Sequence, residues 1–304
     1  MELWQRRFIQ AHRLPPAYPD MAERWFRPAL ETLLATRPGD RPLMMGIQGC
    51  QGSGKSTLAA WMDAALTEAG LTVATLSLDD FYLPRDSRAD LAERVHPLLR
   101  TRGVPGTHDV GRLVNVLEHF RQGRVPVALP RFDKATDNPV PASGWPIVNT
   151  PVDVVILEGW CWGIPPEPEP ALETPVNTLE ANEDPDGRWR HWVNARLRED
   201  YVPLYCLMDV LLSLRAPDFA CVARWRSEQE DRLREWRLAR GEPVAALMSA
   251  AQIEQFVAHY ERLTRHGLRV LPDIADVTWQ LDGQRHIVGW QSRPHLKLPV
   301  VPDG

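Results

Sequence analysis

Lysine is nearly absent from this chain. In 304 residues it occurs only at positions 55, 134 and 297, and arginine fills nearly all the other basic positions. Base composition of the gene accounts for most of that bias, yet Lys55 and Lys134 both stand in motifs that carry chemistry. Cysteine is also scarce, with 4 residues at 50, 161, 206 and 221. They show no metal-ligand spacing and are too few for a disulfide framework, which predicts reduced thiols and a cytoplasmic location. No apolar run is long enough to span a bilayer. The first residues, Met-Glu-Leu-Trp-Gln-Arg-Arg, lack the uninterrupted hydrophobic segment of a signal peptide, so no membrane partner is expected. No strongly basic stretch interleaves with aromatics and the net charge is −5, which argues against a nucleic-acid partner.

What remains is an ordinary globular composition, 44% hydrophobic and 25% charged, in a chain long enough for a substantial core. Its organising stretch is 43–57, Leu-Met-Met-Gly-Ile-Gln-Gly-Cys-Gln-Gly-Ser-Gly-Lys-Ser-Thr. The apolar start reads as a buried strand. Gly49, four further residues, then Gly54, Lys55 and Ser56 make the phosphate-binding pattern GxxxxGK[ST]. Gly49, Gly52 and Gly54 permit positive φ and bring backbone N–H groups against phosphate oxygens. A helix over 55–69 aims its positive end at the same place. The nucleotide site is therefore expected over Gly49, Cys50, Gln51, Gly52, Ser53, Gly54, Lys55, Ser56 and Thr57. Lys55 reaches the β/γ-phosphates of ATP and the Ser56 hydroxyl ligates Mg²⁺. The same loop dipoles could acidify the Cys50 thiol, although an inert small residue is the favoured reading there.

Helical spacing over 20–36 predicts a packing helix ahead of the core, and Arg-Pro-Gly-Asp-Arg-Pro (37–42) ends it. Residues 1–40 are accordingly assigned to an N-terminal helical extension and 41–304 to the domain that carries the phosphate loop. Thr72–Leu78 reads as a second strand, so 43–78 is a βαβ unit and implies a parallel sheet. A loop with a short helix is predicted at 84–107, a helix at 109–121, and strands at 125–129 and Val152–Leu157. The Pro-rich 164–176 reads as an extended surface loop. Helices are expected at about 188–201, 217–239 and 249–264, with strands near 209–214, 268–271, 276–281 and 286–290. The 12 tryptophans suggest aromatic core packing.

The acceptor chemistry lies at strand ends. Asp79 and Asp80 follow the second strand, where open α/β sheets bind ligands. Either could take the proton of an attacking hydroxyl; a strand-end turn is the structural alternative. Glu158 ends the third strand, placed to hold a Mg²⁺-bound water.

These stretches resemble one superfamily, that of phosphoribulokinase, uridine kinase and pantothenate kinase. The resemblance is strongest to plant-type D-glycerate 3-kinases and their fungal and bacterial relatives. It rests on 49–57, Ser-Leu-Asp-Asp-Phe-Tyr-Leu (77–83), Pro-Gly-Thr-His-Asp (105–109), Phe-Asp-Lys (132–134) and Leu-Glu-Gly-Trp (157–160). Trp225-Arg226 with Gln229-Glu230 and Arg234 also matches. The resemblance implies an α/β P-loop fold with a helical lid at about 217–239. It implies ATP-dependent phosphorylation of a hydroxyl on a small metabolite, D-glycerate foremost. By the same resemblance, Asp79 is the base, assisted by Lys55 and Glu158. Asp80, Tyr82, His108, Asp109, Arg131, Asp133 and Lys134 line the acceptor pocket, and Arg224 or Arg226 closes on the phosphates. Both lid arginines also suit i,i+4 pairs on a solvated helix.

One stretch departs from the pattern. After Phe-Asp-Lys, the family runs through Gly, Arg and Asp, whereas this chain reads Ala-Thr-Asp-Asn-Pro-Val-Pro-Ala-Ser (135–143). That segment flanks the acceptor, so the reaction type is better specified than the substrate. A GTPase is discounted because Asn-Lys-x-Asp is missing. A uridine or pantothenate kinase-like enzyme and a non-catalytic ATP-binding regulator remain as alternatives.

Overall fold

The run 43–49 alternates between two cores, and the whole molecule is built outward from it. In the computed structural model, which describes residues 1–244, 247–294 and 296, strand β1 (Leu43–Gly49) is buried along its full length. Leu43, Met45 and Ile47 face one apolar cluster and Met44 the other. A parallel strand covered on both sides needs this continuous hydrophobicity. Strands β2 (Val73–Ser77), β3 (Val154–Gly159), β4 (Val210–Arg215), β5 (Val277–Leu281) and β6 (Ile287–Ser292) complete the sheet. Their order is β6-β5-β4-β1-β3-β2, parallel throughout except for antiparallel β6. The predicted α/β fold with a mainly parallel sheet is the observed one.

One face is covered by the phosphate-loop helix (Lys55–Glu68) and by Leu3–His12, Tyr18–Trp25 and Arg27–Ala35. The predicted helix at 20–36 is thus two helices, broken at Phe26 with a proline in the first turn of the second, and Leu3–His12 was not foreseen. Phe26 packs against both Trp61 and Trp279, at 5.8 and 5.1 Å between ring centroids. The other face carries Val110–Arg121, Arg188–Arg196 and Ala250–Val270. There Trp162 lies so close to β1 that a Cβ at Gly46 would meet its indole nitrogen at 2.2 Å. The strand expected at 125–129 is only Val127–Ala128.

Two expectations fail. Residues 268–271 are not a strand, because the helix begun at Ala250 runs to Val270. Gly267 does not end it; the missing side chain admits Ile164, whose Cδ1 would lie 2.7 Å from a Cβ there. The segment 164–176 is not a surface loop throughout, since Ile164, Glu167 and Leu172 are buried. Its anchor is Arg262 on the long helix. That guanidinium donates to Glu180 at 2.8 and 2.6 Å, to Glu167 at 3.3 Å, and to the carbonyls of Ala171 and Thr174 at 2.9 and 2.7 Å. Removing one partner of such a buried network leaves the other charges uncompensated. Arg262→Ala is expected to cost about 3–5 kcal/mol of stability, read from the midpoint of denaturant unfolding. Residues 297–304, the end of the predicted kinase domain and the third lysine, lie outside the described residues.

Candidate active site

Strand order decides what meets what. Because β3 lies between β1 and β2, Glu158 stands beside Ile47 on one side and Ser77 on the other. The phosphate loop, Glu158 and the acids after β2 therefore converge at the carboxyl ends of three adjacent strands. A cleft of about 400 Å³ opens there, lined among others by Lys55, Ser56, Asp79, Tyr82, Lys134 and Glu158.

The loop has the required backbone. Gly52 and Gly54 have φ of +78° and +93°. At Gly52 a Cβ would also lie 2.7 Å from that of Trp225, so the loop seats directly on the lid helix. Gln51 Oε1 and Ser53 Oγ, both in the loop, are buried with no hydrogen-bond partner. Ser56 and Thr57 lie in the first turn of the following helix. Ser56 Oγ donates to Glu158 Oε1 at 3.1 Å, and Lys55 Nζ stands 3.7 Å from Glu158 Oε2. Burial would lower the Lys55 pKa, but the Glu158 and Asp79 charges outweigh it and raise it. Lys55 is a fixed cation.

Cys50 is the inert small residue of the two readings. It is buried under the loop, and burial pushes its thiol up to about 12 rather than down. In the native protein, iodoacetamide is expected to modify exposed Cys206 well before Cys50, with mass spectrometry of the adducts as the check.

Of the two acids after β2, Asp79 faces the cleft. It sits in a 3₁₀ turn, Leu78–Phe81, whose N-cap Ser77 accepts the Asp79 N–H at 3.3 Å. Its carboxylate accepts from Lys134 Nζ at 2.6 Å and from the Tyr82 hydroxyl at 2.7 Å. Burial pushes the Asp79 carboxyl up. The ammonium groups of Lys134 and Lys55, with those hydrogen bonds, outweigh it and hold the pKa at about 2. Asp80 instead anchors the next segment, accepting from Phe132 N at 3.3 Å and Arg131 Nη1 at 3.4 Å; burial raises its pKa. Asp80 and Arg131 thus brace the short ribbon that carries Lys134.

Other predicted residues form the surround. His108 is buried behind Tyr82, stacked on it at 4.7 Å, with Nδ1 hydrogen-bonded to the Tyr201 hydroxyl at 2.5 Å. Burial lowers its pKa to about 4, so the imidazole is neutral near pH 7. Asp109 caps the helix that follows, accepting from Arg112 N at 3.0 Å. Asp133 closes a turn with Ala135 N at 2.9 Å and Thr136 Oγ1 at 2.8 Å. Neither Asp109 nor Asp133 reaches the cleft.

The lid helix, Phe219–Leu238, starts at Asp218, which accepts from Cys221 N at 2.8 Å. Helical spacing puts Arg226, Gln229, Glu230 and Leu233 on the face that lines the cleft. Arg226 pairs with Glu230 at 2.7 Å, while Arg224 lies on another face and donates to Gly283 O at 2.8 Å. Several contributors are absent from the sequence-based expectation, Arg102, Tyr260 and Arg285 foremost. Arg102 and Tyr260 line the cleft. Arg285, at the tip of the β5–β6 hairpin, donates to Gly52 O at 2.8 Å and Glu228 at 2.6 Å. No local motif marks any of them.

No family model matches the chain. An uncharacterized kinase of Schizosaccharomyces pombe is 37% identical over 238 residues, covering 74% of this chain and 80% of the relative. The chain belongs to the P-loop kinase superfamily of phosphoribulokinase, uridine kinase and pantothenate kinase. A chloroplastic D-glycerate 3-kinase of Arabidopsis thaliana is 30% identical over 229 residues; these are 72% of this kinase but only 46% of that protein. The fold of this kinase is similar to the solved structure of a D-glycerate 3-kinase from Cryptococcus neoformans. That match has a TM-score of 0.71 at 25% identity and covers 92% of this chain and all of the other. Among the described residues of this kinase, no helix is long and apolar enough to cross a membrane.

Proposed function

We propose that this kinase transfers the γ-phosphoryl group of ATP to a hydroxyl of a small anionic metabolite, with D-glycerate the leading acceptor. The observation that carries the reading is the meeting of Lys55, Glu158, Asp79 and Lys134 in one cleft. Lys55 and the loop N–H groups hold the phosphates. Ser56 would ligate Mg²⁺ and Glu158 would hold a water of its shell: two hard oxygen donors 3.1 Å apart suit an ion that takes few protein ligands and completes its shell with phosphate and water. Bound there, the metal neutralises phosphate charge. The acceptor oxygen bonds to the γ-phosphorus, its bond to the β-phosphate oxygen breaks, and the hydroxyl proton passes to Asp79. Arg226, on the lid, closes over the phosphates and excludes water.

An Asp held near pKa 2 is a weak base. That suits phosphoryl transfer, in which little covalent work is asked of the protein and the proton leaves late. D-Glycerate is supported by the two glycerate kinases named above. A pantothenate kinase of Bradyrhizobium, 30% identical over 154 residues, supports the second reading, a different hydroxy acid as acceptor. We assign the protein to the cytoplasm, in keeping with four free cysteines.

The test is ADP release from Mg-ATP with D-glycerate, pantothenate, uridine and ribulose 5-phosphate. Strong stimulation by D-glycerate alone supports both reaction and substrate. Stimulation by another acceptor keeps the reaction and discards glycerate. Tight ATP binding without turnover across hydroxylated acceptors overturns the kinase reading in favour of a regulator.

A further inference from the structure

Arg102 lines the acceptor end of the cleft and belongs to no motif. We propose that it is the specificity-determining residue of this site, and that its guanidinium holds the carboxylate or other small anionic group of the acceptor. The inference rests on the phosphotransfer reading above and adds the residue that selects the substrate class.

Three observations carry it. The first is charge. Asp137 accepts from two guanidiniums, Arg102 at 2.5 Å and Arg88 at 2.6 Å, so one carboxylate faces two cations. Arg88 is buried, and its remaining bonds go to the carbonyls of Leu83, Arg100 and Asp137. The unbalanced positive charge therefore lies on the Arg102 side. Nearby, Lys134 and Asp79 neutralise one another. A net positive site in a partly closed cleft concentrates anions.

The second is free donor capacity. Among the described residues, only Nη1 of Arg102 has a hydrogen-bond partner, Asp137. Nε and Nη2 have none, and neither is a buried, unsatisfied atom. A guanidinium with an open edge matches a carboxylate or phosphate with two parallel hydrogen bonds.

The third is fixation. The guanidinium lies over the Phe132 ring at 5.7 Å. Asp137 is held with φ of +57°, a left-handed conformation that Asp tolerates better than most residues and that orders the turn of the Lys134 ribbon. The Tyr260 hydroxyl donates to the Arg102 carbonyl at 2.8 Å. A side chain held by Asp137 and the Phe132 ring, on a backbone fixed by Tyr260, loses little freedom on binding. Asp137 stands in the 135–143 stretch that follows Phe-Asp-Lys, so that stretch helps build the anion site.

The test is kinetics and calorimetry on Arg102→Gln, which keeps a donor for Asp137, and on Arg102→Lys, which keeps the charge. Losing a charged hydrogen-bond pair is expected to raise the KM of the preferred acid acceptor about 10- to 100-fold in Arg102→Gln. The KM for ATP stays within about twofold, and Arg102→Lys falls between the two. D-Glycerate and ribulose 5-phosphate distinguish a carboxylate from a phosphate, and glycerol, lacking either, is equally poor with wild type and variant. An acceptor KM unchanged in Arg102→Gln overturns the proposal. So does a wild type that prefers uridine or another neutral acceptor, although that leaves the kinase reading intact. If wild type turns over no acceptor, the proposed reaction fails. Heat of D-glycerate binding to the MgADP complex then decides for Arg102: saturable in wild type and lost in Arg102→Gln supports the anion site, and any other pattern overturns it.

Discussion

Asp79→Asn is expected to lower kcat by about 10²–10⁴-fold while ATP still binds with near wild-type affinity. The amide preserves the shape; its single oxygen can replace the Oδ2 that accepts from Lys134 at 2.6 Å, while its NH₂ takes the place of the Oδ1 that accepts from Tyr82 at 2.7 Å. What it cannot do is take the acceptor's proton. A uniform loss in kcat and kcat/KM marks a group that acts in the transition state. Near-full turnover by Asp79→Asn would remove Asp79 from the role of base.

A pH profile adds an independent check. Because the folded pKa of Asp79 is lowered to about 2, the ionised form dominates at all ordinary pH values. The sign is that of a depressed carboxylate: the ionised group favours the native state above its unfolded pKa, and that gain is lost only as the pH falls towards 2. His108, lowered to about 4, adds no titration between pH 5 and 8. Neither group should produce an acid limb in kcat/KM across that interval. A limb near pH 6.5 that disappears in His108→Asn would contradict this assignment.

Lys55→Met is expected to cost about 10²–10³-fold or more in kcat/KM for ATP, in line with the loss of one preorganised electrostatic contact at a transferring phosphoryl group. The methionine keeps the stem that packs in the loop and removes only the charge. It also leaves Glu158 without the cation that stands 3.7 Å away, in a position only 7% exposed. Mg²⁺ affinity should then change together with that for ATP, because the carboxylate proposed to face the metal loses its counter-charge. Calorimetric titration of MgATP separates this from misfolding. A variant that unfolds normally but shows wild-type ATP affinity would place the phosphates elsewhere.

Much of this architecture can be read from local spacing. The apolar run 43–47, the glycines, and Lys55-Ser56 specify strand, loop and helix, because a seven-residue strand and a dihedral-restricted turn depend on near neighbours alone. The acids at 79, 80 and 158 are equally legible, since each follows an apolar strand and open sheets bind ligands at those ends. The strand expected at 268–271 fails because the helix begun at Ala250 continues to Val270. There Gly267 resembles a terminator but serves packing against Ile164.

Tertiary structure alone settles the rest. Asp79 and Asp80 are adjacent and chemically identical; the turn at Leu78–Phe81 sends one to the cleft and the other to Phe132 and Arg131. Arg226 rather than Arg224 lines the cleft because the lid helix presents one face to Phe256 and the other to Gly283. Arg102 meets the Lys134 ribbon, Tyr260 the Arg102 carbonyl and Arg285 the phosphate loop across separations that no local spacing records. Hydrophobic periodicity records which side of an element is buried but not which distant element covers it. The phosphate loop was therefore determined by the sequence itself, and the cleft that selects an acceptor only by the packing of the long helix and the ribbon against the strand ends.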